Sequence, residues 1–126
     1  NSFNSKQISF EEHSIWFDNK LADKNAFYYI CETKGTPAGL IRFDLNSNKL
    51  VIGITVDRKF RGKNLSSKFI CKGCETVKQI LDLPIYAYIK NTNIYSIKSF
   101  EKAGFIYEGD LKINDIDSYE YIFKGK

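Results

Sequence analysis

A strand, a helix and a second strand follow one another in the middle of the sequence. Residues 50–56 form a nearly continuous apolar run, typical of a strand that is buried on both faces. Apolar residues then recur at helical spacing over residues 64–81, and a further strand pattern covers residues 85–89 after Pro84. Two strands joined by a crossover helix lie parallel in one sheet. The chain is therefore restricted to folds with parallel central strands.

Shorter elements flank this unit. A helix is predicted over residues 9–23, because Ser9 and Glu12 have the spacing of a capping box. A second helix is predicted over residues 93–103, capped by Asn93 and ended by Gly104. Further strands are predicted at residues 27–32, 38–44, 105–112 and 118–123. This order predicts an α/β fold (α+β in some schemes) with a mixed, mostly antiparallel central sheet and helices on both faces.

Composition excludes several classes of protein. At 126 residues the chain is expected to be one domain. No apolar run approaches the roughly 20 residues that span a bilayer, and the first ten residues are too polar for a secretory signal. The net charge is +4, but charges of both signs are interspersed, so a nucleic-acid partner is not expected. A cytoplasmic protein without a membrane partner is predicted.

The chain contains three cysteines, Cys31, Cys71 and Cys74. An odd number without a secretory signal indicates free thiols in a reducing compartment. Cys71 and Cys74 form a C-x-x-C pair inside a predicted helix, whereas redox pairs begin a helix. A zinc site would need a second ligand pair, and the only histidine is the distant His13. We therefore predict no metal site.

A basic loop joins the strand at 50–56 to the helix that follows. The start of a helix presents free N–H groups and a positive dipole end, which together bind anions. Four cationic residues surround this point: Arg58, Lys59, Arg61 and Lys63. The loop lacks the first glycine of a phosphate-binding G-x-x-x-x-G-K-[ST] sequence and has no G-x-G-x-x-G. An anion site and a solvated charged loop are the two readings that remain.

Residues 93–105 form a second pattern, which by itself is a capped amphipathic helix with a glycine stop. Together with residues 56–66 it resembles the GCN5-related N-acetyltransferase (GNAT) superfamily. Residues 56–66 are similar to the family's V-x-x-x-x-R-G-x-G-x-G loop, and residues 93–105 match N-x-x-S-x-x-x-[YF]-E-K-x-G-F at every fixed position.

The resemblance implies an acetyl-CoA-dependent N-acetyltransferase in which the cofactor lies between two splayed strands, here residues 50–56 and 85–89. The acceptor amine attacks the thioester directly, and a strand N–H near residues 54–56 holds the thioester oxygen. The residues implied to bind acetyl-CoA are Ile54, Thr55, Val56, Arg61, Gly62, Lys63, Asn64, Leu65, Ser66, Asn93, Ser96, Phe100 and Lys102.

The chain departs from the family pattern at several positions. Asn64 and Ser66 replace two glycines, and Asn tolerates left-handed backbone better than most residues. Many relatives have a tyrosine at the position of Phe100 that protonates the leaving thiolate. Because Phe100 cannot donate a proton, we predict that Ser96, next to Tyr95, has this role. No glutamate lies in residues 50–56 to act as the base.

The general base is therefore unassigned. His13 is one candidate, since its ordinary pKa near ~6.5 suits proton transfer. A packing or surface role for His13 is the alternative.

The N-terminal segment narrows the resemblance. Residues 8–17 are similar to I-x-x-E-E-H-x-x-W-F of the PseH-like branch, which acetylates amino sugars on nucleotide carriers. This likeness implies a nucleotide-linked amino sugar as the acceptor. In that branch a strand and a helix precede the segment, so the acetyltransferase domain at residues 1–126 is expected to lack them. Trp16 is expected in the core rather than at the substrate.

Two other functions fit the same residues. One is acetylation of a protein N-terminus, which would need an open acidic groove for a basic peptide. The other is a non-catalytic acyl-CoA-binding domain, suggested by the lost glycines and Phe100. The sequence does not decide between a monomer and a homodimer.

Overall fold

A computed structural model describes residues 5–18, 25–62 and 64–125. These residues form one eight-stranded sheet in the order β1-β2-β3-β4-β5-β6-β8-β7. Every neighbouring pair is antiparallel except β5 and β6, which are parallel. The strands are β1 (Ser5–Phe10), β2 (His13–Asp18), β3 (Ala26–Thr33), β4 (Thr36–Asn46), β5 (Lys49–Val56), β6 (Ile85–Lys90), β7 (Phe105–Ile113) and β8 (Ile116–Phe123).

Two α-helices connect the central strands. Helix α1 (Leu65–Ile80) joins β5 to β6, and α2 (Ile94–Lys102) joins β6 to β7. A short 3-10 turn, Arg58–Phe60, precedes α1. The mixed, mostly antiparallel sheet with a parallel central pair confirms the predicted fold class. No helix in the described part of the chain is long and apolar enough to cross a membrane.

Both helices pack on the same face of the sheet. Helix α1 approaches β4 closely at Gly73, where a Cβ atom would lie 3.1 Å from Cδ1 of Ile41. On α2, Phe100 packs edge-on against Phe105 of β7, with ring centroids 5.0 Å apart. The buried side chains beneath the two helices form one core. We call this surface of the sheet the helical face, and the opposite surface the open face.

The predicted helix over residues 9–23 is wrong where the structure describes it. Residues 5–18 form the β1–β2 hairpin, with Ile8 opposite Ile15 and Ser9 opposite Ser14. Glu11 lies in the turn with φ of 53°, so the Ser9–Glu12 spacing marks a hairpin and not a capping box. Residues 19–23 of that prediction lie outside the described residues. Helices were expected on both faces of the sheet. Because strands replace this helix, the described residues contain two α-helices, and both lie on one face.

Trp16 also departs from its expected place. Its neighbour Ile15 is fully buried in the core. Side chains alternate between the two faces of a strand, so Trp16 lies on the open face. There its Nε1 donates a hydrogen bond to Oε1 of Glu32 at 2.9 Å, and the side chain is half-buried.

Candidate active site

The central pair of strands separates soon after it forms. The ladder between β5 and β6 contains only two residue pairs, Leu50 with Ile85 and Val51 with Tyr86. The N–H of Leu50 donates to the carbonyl oxygen of Pro84 at 2.8 Å, so the backbone N–H and C=O groups of Leu50 point toward β6. Backbone groups of alternate residues point to the same edge, which gives Ile54 the same orientation. The N–H of Ile54 therefore faces an open slot beyond the last residue pair.

A cavity of about 520 Å³ occupies the wide end of this slot, between the end of β5 and α2. Its lining residues are Ile54, Thr55, Val56, Arg61, Ser66, Asn93, Tyr95, Ser96, Ser99 and Phe100. The fold thus brings together residues from both sequence motifs. Ser99 was missed by the sequence analysis, although it lies three residues after Ser96, on the same side of α2.

The loop before α1 has the backbone shape of an anion site. Gly62 has φ of 78° and Asn64 has φ of 61°, both in the left-handed region. Asn64 is the N-cap residue of α1, but its side chain caps no backbone N–H. The first N–H groups of α1, beginning at Leu65, are therefore not capped by Asn64 and can bind a ligand. The Leu65 side chain itself is buried in the core.

Arg61 is fixed at the end of the slot. Its Nε donates a hydrogen bond to the carbonyl oxygen of Val56 at 3.0 Å, which holds the guanidinium beside the cavity. Arg58 and Lys59 are exposed in the preceding 3-10 turn, where the Asp57 carboxylate accepts a hydrogen bond from the N–H of Lys59. Lys63 lies outside the described residues.

A second cavity of about 210 Å³ adjoins the first and shares Tyr95 and Ser99 with it. It is lined by Gly62, Asn64, Ser67, Tyr95, Lys98, Ser99 and Lys102. Two ammonium groups, on Lys98 and Lys102, give this region a positive charge beside the start of α1. The sequence analysis named Lys102 but missed Lys98, whose position one turn earlier on α2 was the available signal.

Two hydroxyl groups occupy the start of α2. The Asn93 side chain accepts a hydrogen bond from the Ser96 N–H at 3.2 Å, which confirms Asn93 as the helix cap. The Ser96 side chain is half-buried at the cavity wall, and the hydroxyl of Tyr95 lies 2.5 Å from that of Ser66. Phe100, only 4% exposed, supplies an apolar part of the wall.

His13 lies apart from these residues. Its ring packs against Phe10 and Phe69, with centroids 5.6 and 5.7 Å away. Its Nδ1 lies 3.3 Å from Oγ1 of Thr33. The ring lines neither of the two cavities. The structure does not bring His13 together with the other candidate catalytic residues.

The three cysteines form no disulfide with one another and belong to the packing of the domain. Burial raises the pKa of the Cys31 thiol and of the Cys74 thiol well above the ordinary value. Cys71 is half-buried on α1, and its Sγ lies 3.7 Å from Oε2 of Glu75. Among the described residues, no three metal-ligating side chains come close enough to share an ion.

Comparisons with known proteins extend this description. A family model described as "Acetyltransferase (GNAT) family" matches residues 2–105. A spermidine N-acetyltransferase, SpeG, from Vibrio cholerae superposes with a TM-score of 0.71 at 21% identity, covering 82% of this chain and 68% of that one. AAC(6')-Ib in complex with ribostamycin and coenzyme A superposes with a TM-score of 0.72 at 19% identity, covering 82% and 66%. At these identities the likeness shows a shared fold. A search of curated proteins gives no match.

Proposed function

The chain belongs to the acetyltransferase (GNAT) family, and from that premise we propose that the slot between β5 and β6 holds acetyl-CoA for transfer to a small-molecule amine. The observation that carries this proposal is the early end of the β5–β6 ladder. Two parallel strands that separate after two residue pairs leave unpaired backbone groups along the slot. An extended ligand that carries amides can pair with them.

The residues around the slot suit the parts of acetyl-CoA. The edge of β5 at Ile54 and Val56 offers backbone groups to the pantetheine amides. The left-handed loop at Gly62 and Asn64 directs the first N–H groups of α1 toward a diphosphate. Arg61, Lys98 and Lys102 add positive charge at the two cavities. Asn64, which stands where the family pattern has a glycine, itself adopts the left-handed backbone.

The chemistry requires little from the protein. The amine nitrogen attacks the carbonyl carbon of the thioester, the new C–N bond forms and the C–S bond breaks. The N–H of Ile54 would stabilise the negative charge that develops on the carbonyl oxygen. Donors of this kind typically contribute on the order of 10²–10³ in rate. The Ser96 hydroxyl would pass a proton to the departing thiolate and take one back from water, and water would accept the proton of the attacking amine.

The acceptor in this proposal is a primary amine of a small molecule. SpeG is named for spermidine, and AAC(6')-Ib was crystallised with ribostamycin, both of which are small molecules with amino groups. A nucleotide-linked amino sugar is the second candidate. It is favoured by the sequence pattern at residues 8–17, which forms the β1–β2 hairpin.

Two measurements test the proposal. Calorimetric titration should show that the protein binds coenzyme A, and a thiol-release assay should show turnover of acetyl-CoA with at least one amine. The amine panel would contain simple alkylamines, diamines, amino-sugar nucleotides and basic peptides. Binding of coenzyme A without turnover on any amine would favour an acyl-CoA-binding domain. Absence of binding would refute the slot as the acetyl-CoA site.

A further inference from the structure

Four side chains form a connected cluster on the open face of the sheet. The ammonium group of Lys49 donates a hydrogen bond to the hydroxyl of Tyr88 at 2.7 Å. That hydroxyl donates in turn to Oε2 of Glu120 at 2.9 Å. The rings of Tyr86 and Tyr88 are nearly parallel, 7° apart in orientation, and Lys49 Nζ lies 4.9 and 5.3 Å from their centroids. We call Tyr86, Tyr88 and Glu120 the tyrosine cluster.

The tyrosine cluster has the chemistry of an ammonium site. Two aromatic faces attract a cation through their quadrupoles, and a hydroxyl linked to a carboxylate accepts its hydrogen bond. The carboxylate supplies the negative charge that balances the cation. Lys49 provides this cation from within the chain, at the end of a long and flexible side chain. A ligand that carries an ammonium group could occupy the same place if Lys49 moved aside.

The position of the tyrosine cluster relates it to the slot. Tyr86 belongs to the last residue pair between β5 and β6, opposite Val51. Tyr88 lies two residues further along β6, opposite Gly53 across the slot. Gly53 is exposed, and a Cβ atom there would have no neighbour within 4 Å. The space above Gly53 therefore connects the tyrosine cluster with the N–H of Ile54, the next residue of β5.

The helices leave this side accessible. Both α1 and α2 cover the helical face, and no described helix covers the open face. Under the proposed function, acetyl-CoA enters from the end of the slot at Arg61 and the start of α1. An acceptor on the open face would approach the acetyl group from the opposite side of the sheet, across Gly53.

We propose that the tyrosine cluster binds a second ammonium group of the acceptor, which displaces Lys49 while another amine of the same molecule attacks the thioester. This inference rests on the proposed function and narrows its acceptor to diamines and longer polyamines. An acceptor with a negatively charged diphosphate would be repelled by Glu120. The cluster thus favours a polycationic acceptor over a nucleotide-linked sugar.

Kinetic comparison of a diamine with a monoamine of equal length tests the assignment. Butane-1,4-diamine and butan-1-amine differ only in the second amino group, so the ratio of their kcat/KM values isolates its recognition. We expect Glu120→Gln to lower this ratio about tenfold, mainly by raising KM for the diamine, because the neutral amide no longer attracts the second cation. Lys49→Ala should raise the ratio, since the diamine no longer has to displace an internal ammonium group.

Matched controls lie elsewhere on the surface. Glu108→Gln removes an exposed carboxylate from β7, and Lys34→Ala removes an exposed ammonium group from the β3–β4 turn. Both should keep the wild-type ratio. A wild-type ratio in Glu120→Gln, or equal changes in Glu120→Gln and Glu108→Gln, would overturn the assignment while leaving the proposed function in place.

Direct binding separates this inference from the proposed function. Calorimetric titration with butane-1,4-diamine requires no turnover. Weaker binding to Glu120→Gln and tighter binding to Lys49→Ala would support the ammonium site even if no amine were acetylated. If the wild-type protein and Lys49→Ala both fail to bind the diamine, the ammonium site is refuted, whatever the outcome of the coenzyme A titration.

Discussion

The hydroxyl oxygen of Ser66 lies 2.5 Å from the hydroxyl oxygen of Tyr95, and this hydrogen bond joins the first turn of α1 to the first turn of α2. Ser66 occupies a position at which the family pattern has glycine. A glycine could not form this contact, so the serine adds a link between the two helices at the wall of the cavity at the wide end of the slot. The serine thus has a structural role of its own in this chain.

Breaking the Ser66–Tyr95 contact should weaken coenzyme A binding. We expect Tyr95→Phe and Ser66→Ala each to raise the dissociation constant about threefold to tenfold, the usual effect of one lost hydrogen bond. Because both changes remove the same contact, the double variant should lose little more than either single variant. Calorimetry on the four proteins measures this, and fully additive losses would show that the contact does not act as a unit.

Gly62→Asp should abolish detectable binding of coenzyme A. The new carboxylate would place a negative charge beside the anion site at the start of α1. Gly35 provides a matched control, because its φ of 79° is almost equal to the 78° of Gly62, and a Cβ atom has no neighbour within 4 Å at either position. Gly35→Asp therefore introduces the same backbone strain in the β3–β4 turn and should bind coenzyme A normally. Equal affinity of both variants would argue against the anion site.

Ser96→Ala should reduce kcat at least about tenfold with little change in affinity for coenzyme A. The substitution removes the proposed proton donor but keeps the backbone N–H that Asn93 caps. Adding Phe100→Tyr would place a phenol where many relatives have one and should restore part of the turnover. Steady-state kinetics on the single and double variants test both expectations. Full activity of Ser96→Ala would assign the proton donor elsewhere.

The thiols of Cys71 and Cys74 should be dispensable for activity. Cys74→Ala is expected to cost about 1 kcal/mol of stability, because Cys74 is fully buried and its removal leaves a small cavity. Iodoacetamide at pH 8 should alkylate Cys71 first, because burial raises the pKa of both Cys31 and Cys74 and hinders access to them. Peptide mapping identifies the modified residue, and early labelling of Cys74 would contradict its burial.

Stability at alkaline pH should depend on Tyr29. Burial raises the pKa of Tyr29 from 10.0 to about 12, and its hydroxyl has no hydrogen-bond partner among the described residues. The folded protein holds this proton to higher pH than the unfolded chain does. The resulting contribution to stability is complete below pH 10 and is lost as pH rises from 10 toward 12.

Tyr29→Phe lacks this titration. The variant should equal or exceed the wild type in stability at pH 8, because no unpaired hydroxyl is buried. Its unfolding free energy should exceed that of the wild type by a larger amount above pH 10, as measured by urea unfolding at pH 8 and pH 11. The same difference in unfolding free energy between Tyr29→Phe and the wild type at pH 8 and at pH 11 would contradict the raised pKa of Tyr29.

The sequence predicted the strand–loop–helix unit at residues 50–81 well, because helix caps and apolar periodicity depend on residues that are close in the sequence. Asn64 was expected to accept a left-handed backbone and does so, and Asn93 caps α2 as its spacing indicated. The N-terminal prediction was wrong because the spacing of Ser9 and Glu12 fits a helix cap and a hairpin equally. The choice of the hairpin depends on the pairing of β2 with β3, which is separated from β2 in the sequence by residues 19–24.

The sequence by itself determined the strand–loop–helix unit and the capped second helix, since each depends on neighbours a few positions away. Only the tertiary structure decided where β5 and β6 separate, and that Lys49, Tyr88 and Glu120 meet on one face. Lys49 and Tyr88 are 39 positions apart and meet because β5 lies beside β6, and Tyr88 and Glu120 are 32 positions apart and meet because β8 pairs with β6. Strand order in a sheet is set by the burial of the whole core, which no short segment of the sequence contains.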